Sequence, residues 1–182
     1  IEAAVAAFAD TSPPASILDL GTGSGCLLCA ALTEFPGAWG LGVDRSAGAA
    51  GMAATNAAGL GLGGRAMFVA GDWGDALAVG AFDLILANPP YIPDKEIPSL
   101  APEVSRYDPR AALAGGADGL ESYRRVMPQA RRLVTSRGTV ILEVGAGQIG
   151  QILDLVSAAS MRVCEVRRDL AGIERCIVAT PA

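Results

Sequence analysis

The sequence predicts an α/β domain with a doubly wound, mostly parallel seven-stranded sheet that ends in an antiparallel hairpin, a Rossmann-like arrangement. Three observations predict it. Short apolar stretches alternate with segments of helical period along the whole chain. The first apolar stretch, Ile17-Leu18-Asp19-Leu20, runs directly into Gly21-Thr22-Gly23-Ser24-Gly25. The last two apolar stretches are separated only by a short turn. Strand–helix alternation builds parallel crossovers, whereas a tight turn can join only antiparallel neighbours.

Taken in order, Ile17 to Leu20 reads as a buried strand that stops at glycine. Gly25 to Phe35 places Leu28, Ala31, Leu32 and Phe35 at helical spacing. Trp39 to Asp44 reads as the second strand. Ser46 is a candidate cap for a helix running to about Ala58, with Gly59 ending it. Ala66 to Ala70 and Phe82 to Ala87 read as the third and fourth strands. A Pro-rich stretch from Asn88 to about Gly119 reads as a long loop, and loops of that length are usually functional. A helix is expected from about Leu120 to Ser136, kinked or broken at Pro128. Thr139 to Val144 is the fifth strand and Gln148 to Ala159 a helix. Met161 to Arg167 and Glu174 to Ala179 form the closing hairpin.

Composition narrows the function. The chain has 182 residues, enough for one domain with one sizeable core over 1–182. Hydrophobic residues make up 51% and charged residues 18%, so the chain is globular rather than disordered. The net charge is -5 and Lys95 is the single lysine. Duplex-binding proteins usually carry a basic face, so a protein or small-molecule substrate is favoured over nucleic acid. Cys26 and Cys29 have metal-like spacing, but the chain has no histidine and no second close pair. They are expected to be core thiols, no metal site is expected, and the cysteine usage suits a reducing cytoplasm. No apolar run reaches the roughly 18 residues needed to cross a bilayer. The chain begins at Ile1 rather than Met, so it reads as processed or excised.

The glycine loop lets the backbone turn tightly and approach a ligand without a Cβ in the way, and the following helix N-terminus offers free N–H groups. Its G-x-G-x-G spacing differs from the dinucleotide G-x-G-x-x-G. Asp44 lies about 20 residues further on, where a carboxylate can accept bonds from both ribose hydroxyls. Its other reading is a cap on the next helix.

The fourth strand ends in Asn88-Pro89-Pro90-Tyr91. An amide nitrogen is a poor nucleophile because its lone pair is delocalised. A protein can help by accepting hydrogen bonds from the NH2 group, orienting it and favouring developing positive charge. Asn88 offers a side-chain carbonyl and Pro89 a main-chain carbonyl without a competing donor. Pro90 stiffens the turn and Tyr91 presents a ring for a flat group. The plain alternative is a rigid turn at a strand end.

The glycine loop followed by Asn88-Pro89-Pro90-Tyr91 is shared by methyltransferases of exocyclic base amines and of glutamine amides. Downstream, Glu103-x-x-x-Tyr107-x-Pro109-x-x-Ala112-Leu113-x-Gly115-Gly116-x-Asp118-Gly119-Leu120 resembles the peptide-chain release factor glutamine methyltransferases. So do Tyr123-Arg124, Glu143-x-Gly145-x-x-Gln148 and Asp169-x-x-Gly172-x-x-Arg175.

The resemblance implies an S-adenosylmethionine-dependent catalytic domain. It would methylate N5 of the Gly-Gly-Gln glutamine in a class I release factor, a cytoplasmic partner, releasing S-adenosylhomocysteine. Cofactor binding is expected at Asp19, Gly21, Thr22, Gly23, Gly25, Asp44, Asp72, Trp73 and Asn88. Asp72 would hold the adenine amine with Trp73 beside the ring, where the alternative is an exposed turn. Asp19 would orient the methionine amino group through water, where the alternative is pinning the glycine loop. Catalysis is expected at Asn88, Pro89 and Tyr91, with Pro90 in the substrate site. Residues 103–119 read as a lid-like segment shaping the pocket, and Glu143 as a support for the fold. The family's N-terminal helical domain and Pro-Arg-rich linker have no counterpart in this chain. Two other readings remain: an amino-methyltransferase of rRNA or DNA, which would take or flip a base into the same clamp, and a cofactor-binding module without catalysis. Oligomeric state is not legible.

Overall fold

The computed structural model describes residues 1–182. Seven strands form one sheet: β1 (Ser16–Leu20), β2 (Trp39–Asp44), β3 (Ala66–Ala70), β4 (Phe82–Ala87), β5 (Val134–Glu143), β6 (Met161–Arg168) and β7 (Glu174–Pro181). Their order is β3-β2-β1-β4-β5-β7-β6. Strands β1 to β5 pair in parallel, and β7 runs antiparallel to both β5 and β6. The expected sheet and hairpin are therefore both present.

The helices are α1 (Glu2–Ala7), α2 (Cys26–Glu34), α3 (Ala47–Gly59), α4 (Pro102–Tyr107), α5 (Arg110–Leu113), α6 (Glu121–Leu133) and α7 (Ile149–Ala158). Strand side chains alternate faces, and the central strands are apolar on both, so two cores form. Leu18, Leu20, Ile85, Ala87, Val140 and Leu142 face the core under α6 and α7. Ile17, Leu84, Leu86 and Ile141 face the core under α1 and α2. Burying each such Leu or Ile contributes about 1.5–3 kcal/mol, so the central strands are the most firmly held part of the sheet.

The structure corrects several local expectations. Helix α6 runs unbroken through Pro128. Proline deletes one hydrogen bond, but Pro128 is exposed, while Tyr123, Val126, Met127, Ala130 and Leu133 lie buried along one face. That face holds the helix on the sheet. Gly59 is the last residue of α3 rather than its stop, and the left-handed residue that follows is Gly61. Strand β5 starts at Val134, ahead of the expected Thr139, because the chain leaves α6 directly into extended conformation. The stretch 88–119 is not structureless: it holds a one-turn 3-10 helix at Ile97–Ser99 together with α4 and α5. Helix α1 was not anticipated; it is short and alanine-rich. Of the pair expected in the core, only Cys29 is buried, and Cys26 is exposed at the start of α2. No cysteine is paired, and no cluster of three or more His, Cys, Asp or Glu residues is arranged to hold a metal. No helix is long and apolar enough to cross a membrane.

Candidate active site at the carboxyl edge of the sheet

Strand register places the motif residues along one edge. Leu20 pairs with Val43 and with Ala87, and Asp44 pairs with Ala70. The residues that follow these strand ends, Gly21, Asn88 and Gly71-Asp72, therefore emerge with Asp44 in a row. The strand order reverses between β1 and β4, which opens a crevice at that point.

The glycine loop is held from below and from the side. The N–H groups of Gly21 and Thr22 both donate to the Val43 carbonyl, at 2.9 and 3.0 Å. Gly21, Gly23 and Gly25 all have positive φ, a region that glycine enters without a Cβ penalty. Nothing lies within 4 Å of where a Gly23 Cβ would project, so the loop is open on its outer side. Gly25 plays a packing part: its position at the N-cap of α2 lies against Ala53 and Phe68.

Asp44 closes the loop. Its Oδ2 accepts from the Gly23 N–H at 2.9 Å, and its Oδ1 accepts from the Ser46 N–H at 2.9 Å. The cap on α3 is Ser46, whose hydroxyl accepts from Ala49 N–H, so Asp44 is not the capping residue. Asp19 lies buried beneath the loop. Its Oδ2 accepts from the Thr22 hydroxyl at 2.7 Å, and its Oδ1 is buried with no partner in the protein. Burial raises its pKa to about 6, against the Thr22 hydrogen bond, which lowers it. Thr22 thus turns its side chain inward and leaves only its backbone for a ligand.

On the β3 side, Asp72 is exposed and paired through Oδ2 with Arg125 of α6. Trp73 has φ 49, and its ring covers Gly21: a Cβ there would come 3.3 Å from Trp73 Cζ3. The ring is therefore next to the loop, and the second Asp72 oxygen is not engaged by Arg125.

Strand β4 delivers Asn88 exposed, Pro89 buried and Tyr91 half-buried. One cavity of about 370 Å³ joins the glycine loop to this turn. Its lining includes Gly21, Thr22 and Gly23 on one side and Asn88, Pro89, Pro90 and Tyr91 on the other. Asp19, Asp44, Asp72 and Trp73 do not line it; they surround the loop from below and from the β2–β3 side. Ala112 and Leu113 close the cavity's far wall and are the residues of the 103–119 segment that reach it, while Glu103 and Tyr107 are exposed and outside the lining. Ile92 N–H donates to Leu113 O and Gly115 N–H to Ile92 O, fixing that wall to the turn.

Tyr91 is buttressed on its far side. Its hydroxyl lies 3.4 Å from Glu143 Oε1, long for a hydrogen bond between oxygens. Burial, and then the Glu143 charge, push its phenol pKa upward. Tyr123 donates from its hydroxyl to the Glu143 carbonyl at 2.9 Å, anchoring the end of β5. Glu143 thus faces Tyr91 with its carboxylate and holds Tyr123 through its main-chain carbonyl. Sequence reasoning missed Cys26, Leu27 and Ile92 as lining residues; Leu27 and Ile92 carry no chemical signature, Cys26 was expected in the core, and all three are found only by following the helix and loop that flank the motifs. A second concavity, about 290 Å³, lies where α1 meets β5–β7 and contains none of the motif residues.

The methyltransferase small domain is the family whose sequence model matches, over residues 4–105. The chain belongs to that family. Among curated relatives, a protein of Rhodospirillum rubrum named release factor glutamine methyltransferase is 50% identical over 163 residues. The match covers 90% of this chain and 50% of that protein. A protein of the same name from Cereibacter sphaeroides is 42% identical, the match covering 98% of this chain and 62% of that protein. The chain thus spans between 50% and 62% of the length of these relatives. Among solved structures, the ribosomal protein L11 methylase of Lactobacillus delbrueckii subsp. bulgaricus superposes with a TM-score of 0.70 at 21% identity. That match covers 97% of this chain and 75% of that one. At this identity the likeness speaks for the fold, a Rossmann-like methyltransferase sheet.

Proposed function

We propose that this domain transfers a methyl group from S-adenosylmethionine to the side-chain amide nitrogen of a protein glutamine, the Gly-Gly-Gln glutamine of peptide-chain release factors. The observation that carries this reading is the single cavity shared by the glycine loop and the Asn88–Tyr91 turn. The names of the curated relatives support the choice of substrate.

The residues fit the cofactor. An open glycine cradle, a carboxylate at the end of β2, an indole ring over Gly21 and a buried, unpartnered carboxylate oxygen on Asp19 match an adenosyl group carrying a charged amino acid. In this reading Asp44 accepts from the ribose hydroxyls, Asp72 meets the adenine amine beside Trp73, and Asp19 serves the amino group. Gly21 to Gly25 provide the backbone approach.

When bound, the cofactor supplies an electrophilic methyl on a sulfonium. The chain's own residues do the positioning. The Asn88 side-chain carbonyl and the Pro89 main-chain carbonyl accept hydrogen bonds from the substrate NH2, and Tyr91 flanks the amide plane. The acceptors favour the nitrogen as it gains positive charge, so the transition state is held more tightly than the ground state. With the cofactor bound, one displacement would move the methyl from sulfur to this nitrogen, S-adenosylhomocysteine would be the leaving group, and the proton shed by the nitrogen would pass to solvent water. Alignment is the main contribution of such a site. The proposal includes a cytoplasmic setting, where the substrate works and thiols stay reduced.

The test is transfer of labelled methyl from S-adenosylmethionine to purified release factor, with a control whose Gly-Gly-Gln glutamine is replaced by alanine. Label in the first and none in the second is expected. Label in the control, or in RNA or DNA instead, would overturn the substrate assignment.

A further inference from the structure

The motif Glu143-x-Gly145-x-x-Gln148 ends in a residue that the chemistry above leaves unused. Gln148 stands at the N-cap of α7 and points its amide at the back of the substrate turn. Its Nε2 donates to the Tyr91 main-chain carbonyl at 2.9 Å and lies 3.5 Å from the Gly119 carbonyl. No main-chain N–H reaches the Tyr91 carbonyl.

The fit around this contact is tight. A Cβ on Gly119 would fall 2.4 Å from both Gln148 Nε2 and Tyr91 O, and Gly119 has φ +79. A Cβ on Gly145 would fall 2.3 Å from Gln148 Oε1 and 3.0 Å from Tyr91 Cδ2. The carboxamide is thus wedged between two side-chain-free positions and the edge of the Tyr91 ring. Its Oε1 is buried and finds no donor in the protein. An apolar side chain could fill the same space without leaving a buried acceptor unpaired, which is costly. What the amide offers in exchange is its donor.

We infer that Gln148 is a positioning residue for amide methylation: by holding the Tyr91 carbonyl it sets the orientation of the Tyr91 ring and of the preceding Pro89 carbonyl. It also ties the turn to the 113–119 wall, where Ile92 N–H donates to Leu113 O, Asp94 N–H to Gly116 O, and Gly115 N–H to Ile92 O. The inference rests on the Asn88–Tyr91 turn being the amide clamp. Attack geometry is sensitive to small displacements, so loosening one side of the clamp lowers turnover without touching the cofactor.

Two variants and two measurements test it. Gln148→Ala removes the donor. Gln148→Glu keeps the size and sets a carboxylate against two carbonyl oxygens, regaining a donor only when protonated. In amide hydrogen exchange on this chain, Gln148→Ala is expected to speed exchange about tenfold at Ile92, Asp94 and Gly115 while β1 and α2 stay as they were. In methyl transfer to release factor, kcat is expected to fall about 30-fold with the cofactor Kd changed less than about twofold. For Gln148→Glu, kcat relative to the unaltered protein is expected to rise as pH falls toward the carboxyl's pKa, ordinarily about 4.3 and raised by burial among carbonyl oxygens. Unchanged exchange at the three amides, unchanged kcat, or a flat ratio with pH would each overturn the inference. If the unaltered protein methylates nucleic acid and not glutamine, the function proposed above falls. The exchange measurement, which needs no substrate, still decides whether Gln148 holds the turn.

Discussion

The Gly23 N–H donates to Asp44 Oδ2 at 2.9 Å, so the residue that ends β2 clasps the loop that follows β1. The same carboxylate takes the Ser46 N–H on its other oxygen. Each oxygen has a further lone pair for a ribose hydroxyl. Removing the carboxylate in Asp44→Ala loses both the clasp and the two acceptors. We expect the S-adenosylmethionine Kd to rise about 10- to 100-fold, the range for losing charge-assisted hydrogen bonds. Isothermal calorimetry checks it, and an unchanged Kd would remove Asp44 from the cofactor site.

Asn88 is exposed in the cavity wall and makes no hydrogen bond through its side chain to the rest of the protein. Asn88→Ala therefore costs little stability, within about 0.5 kcal/mol by urea denaturation. Its loss takes away one of the two acceptors for the reacting NH2. We expect kcat for glutamine methylation to drop at least about 100-fold, the scale for losing a group that acts in the transition state. Cofactor Kd should move little. Turnover near that of the unaltered protein would take Asn88 out of its role.

Much of this arrangement was readable before any coordinates. The ends of β2, β3 and β4 fall where period, glycine and proline placed them: β2 and β4 are apolar runs buried on both faces, and the edge strand β3, exposed at Met67 and Val69, stops at Gly71. Asp44 and Asn88 were legible for the same reason: each is the first polar residue after such a run. What stayed hidden depends on tertiary contact. Nothing local says that Pro128 would be tolerated, since the compensation comes from Tyr123 and Met127 packing on the sheet. Nor does local sequence reveal α4 and α5 between Asn88 and Gly119, which are six and four residues long and have no buried residue of their own. The inward turn of the Thr22 hydroxyl to Asp19 was not legible either, although Thr22 does line the cavity as expected of a loop residue.

Gly42 couples the sheet to the loop. A Cβ there would lie 2.5 Å from Phe68 Cδ1 and 2.7 Å from Thr22 Oγ1. Gly42→Ala stiffens the unfolded chain, worth about 0.4–1 kcal/mol, but overpacking of a filled interior costs about 1–3 kcal/mol. The second effect wins, so we expect a lower urea midpoint with an unchanged slope. Because Thr22 must shift, its bond to Asp19 weakens, and cofactor affinity should fall with stability. A variant as stable as the parent would show that the interior here has room to give.

Asp19 carries the sharpest pH signature. Burial raises its folded-state pKa to about 6 from the ordinary 3.8, so the folded chain binds a proton more tightly than the unfolded one. Stability is therefore lost as pH rises through the window from about 4 to about 6, and the full penalty, of order 3 kcal/mol, is in place at neutral pH. Asp19→Asn removes the charge and can still accept from Thr22. It should be more stable than the parent in urea at about pH 7, with the gain shrinking toward zero near pH 4. The same change takes a negative charge from beneath the place proposed for the cofactor's ammonium group, so S-adenosylmethionine binding should weaken while folding improves. That opposition separates the two readings of Asp19. A residue that only pins the loop would lose affinity along with stability; one that trades stability for a ligand charge moves them in opposite directions.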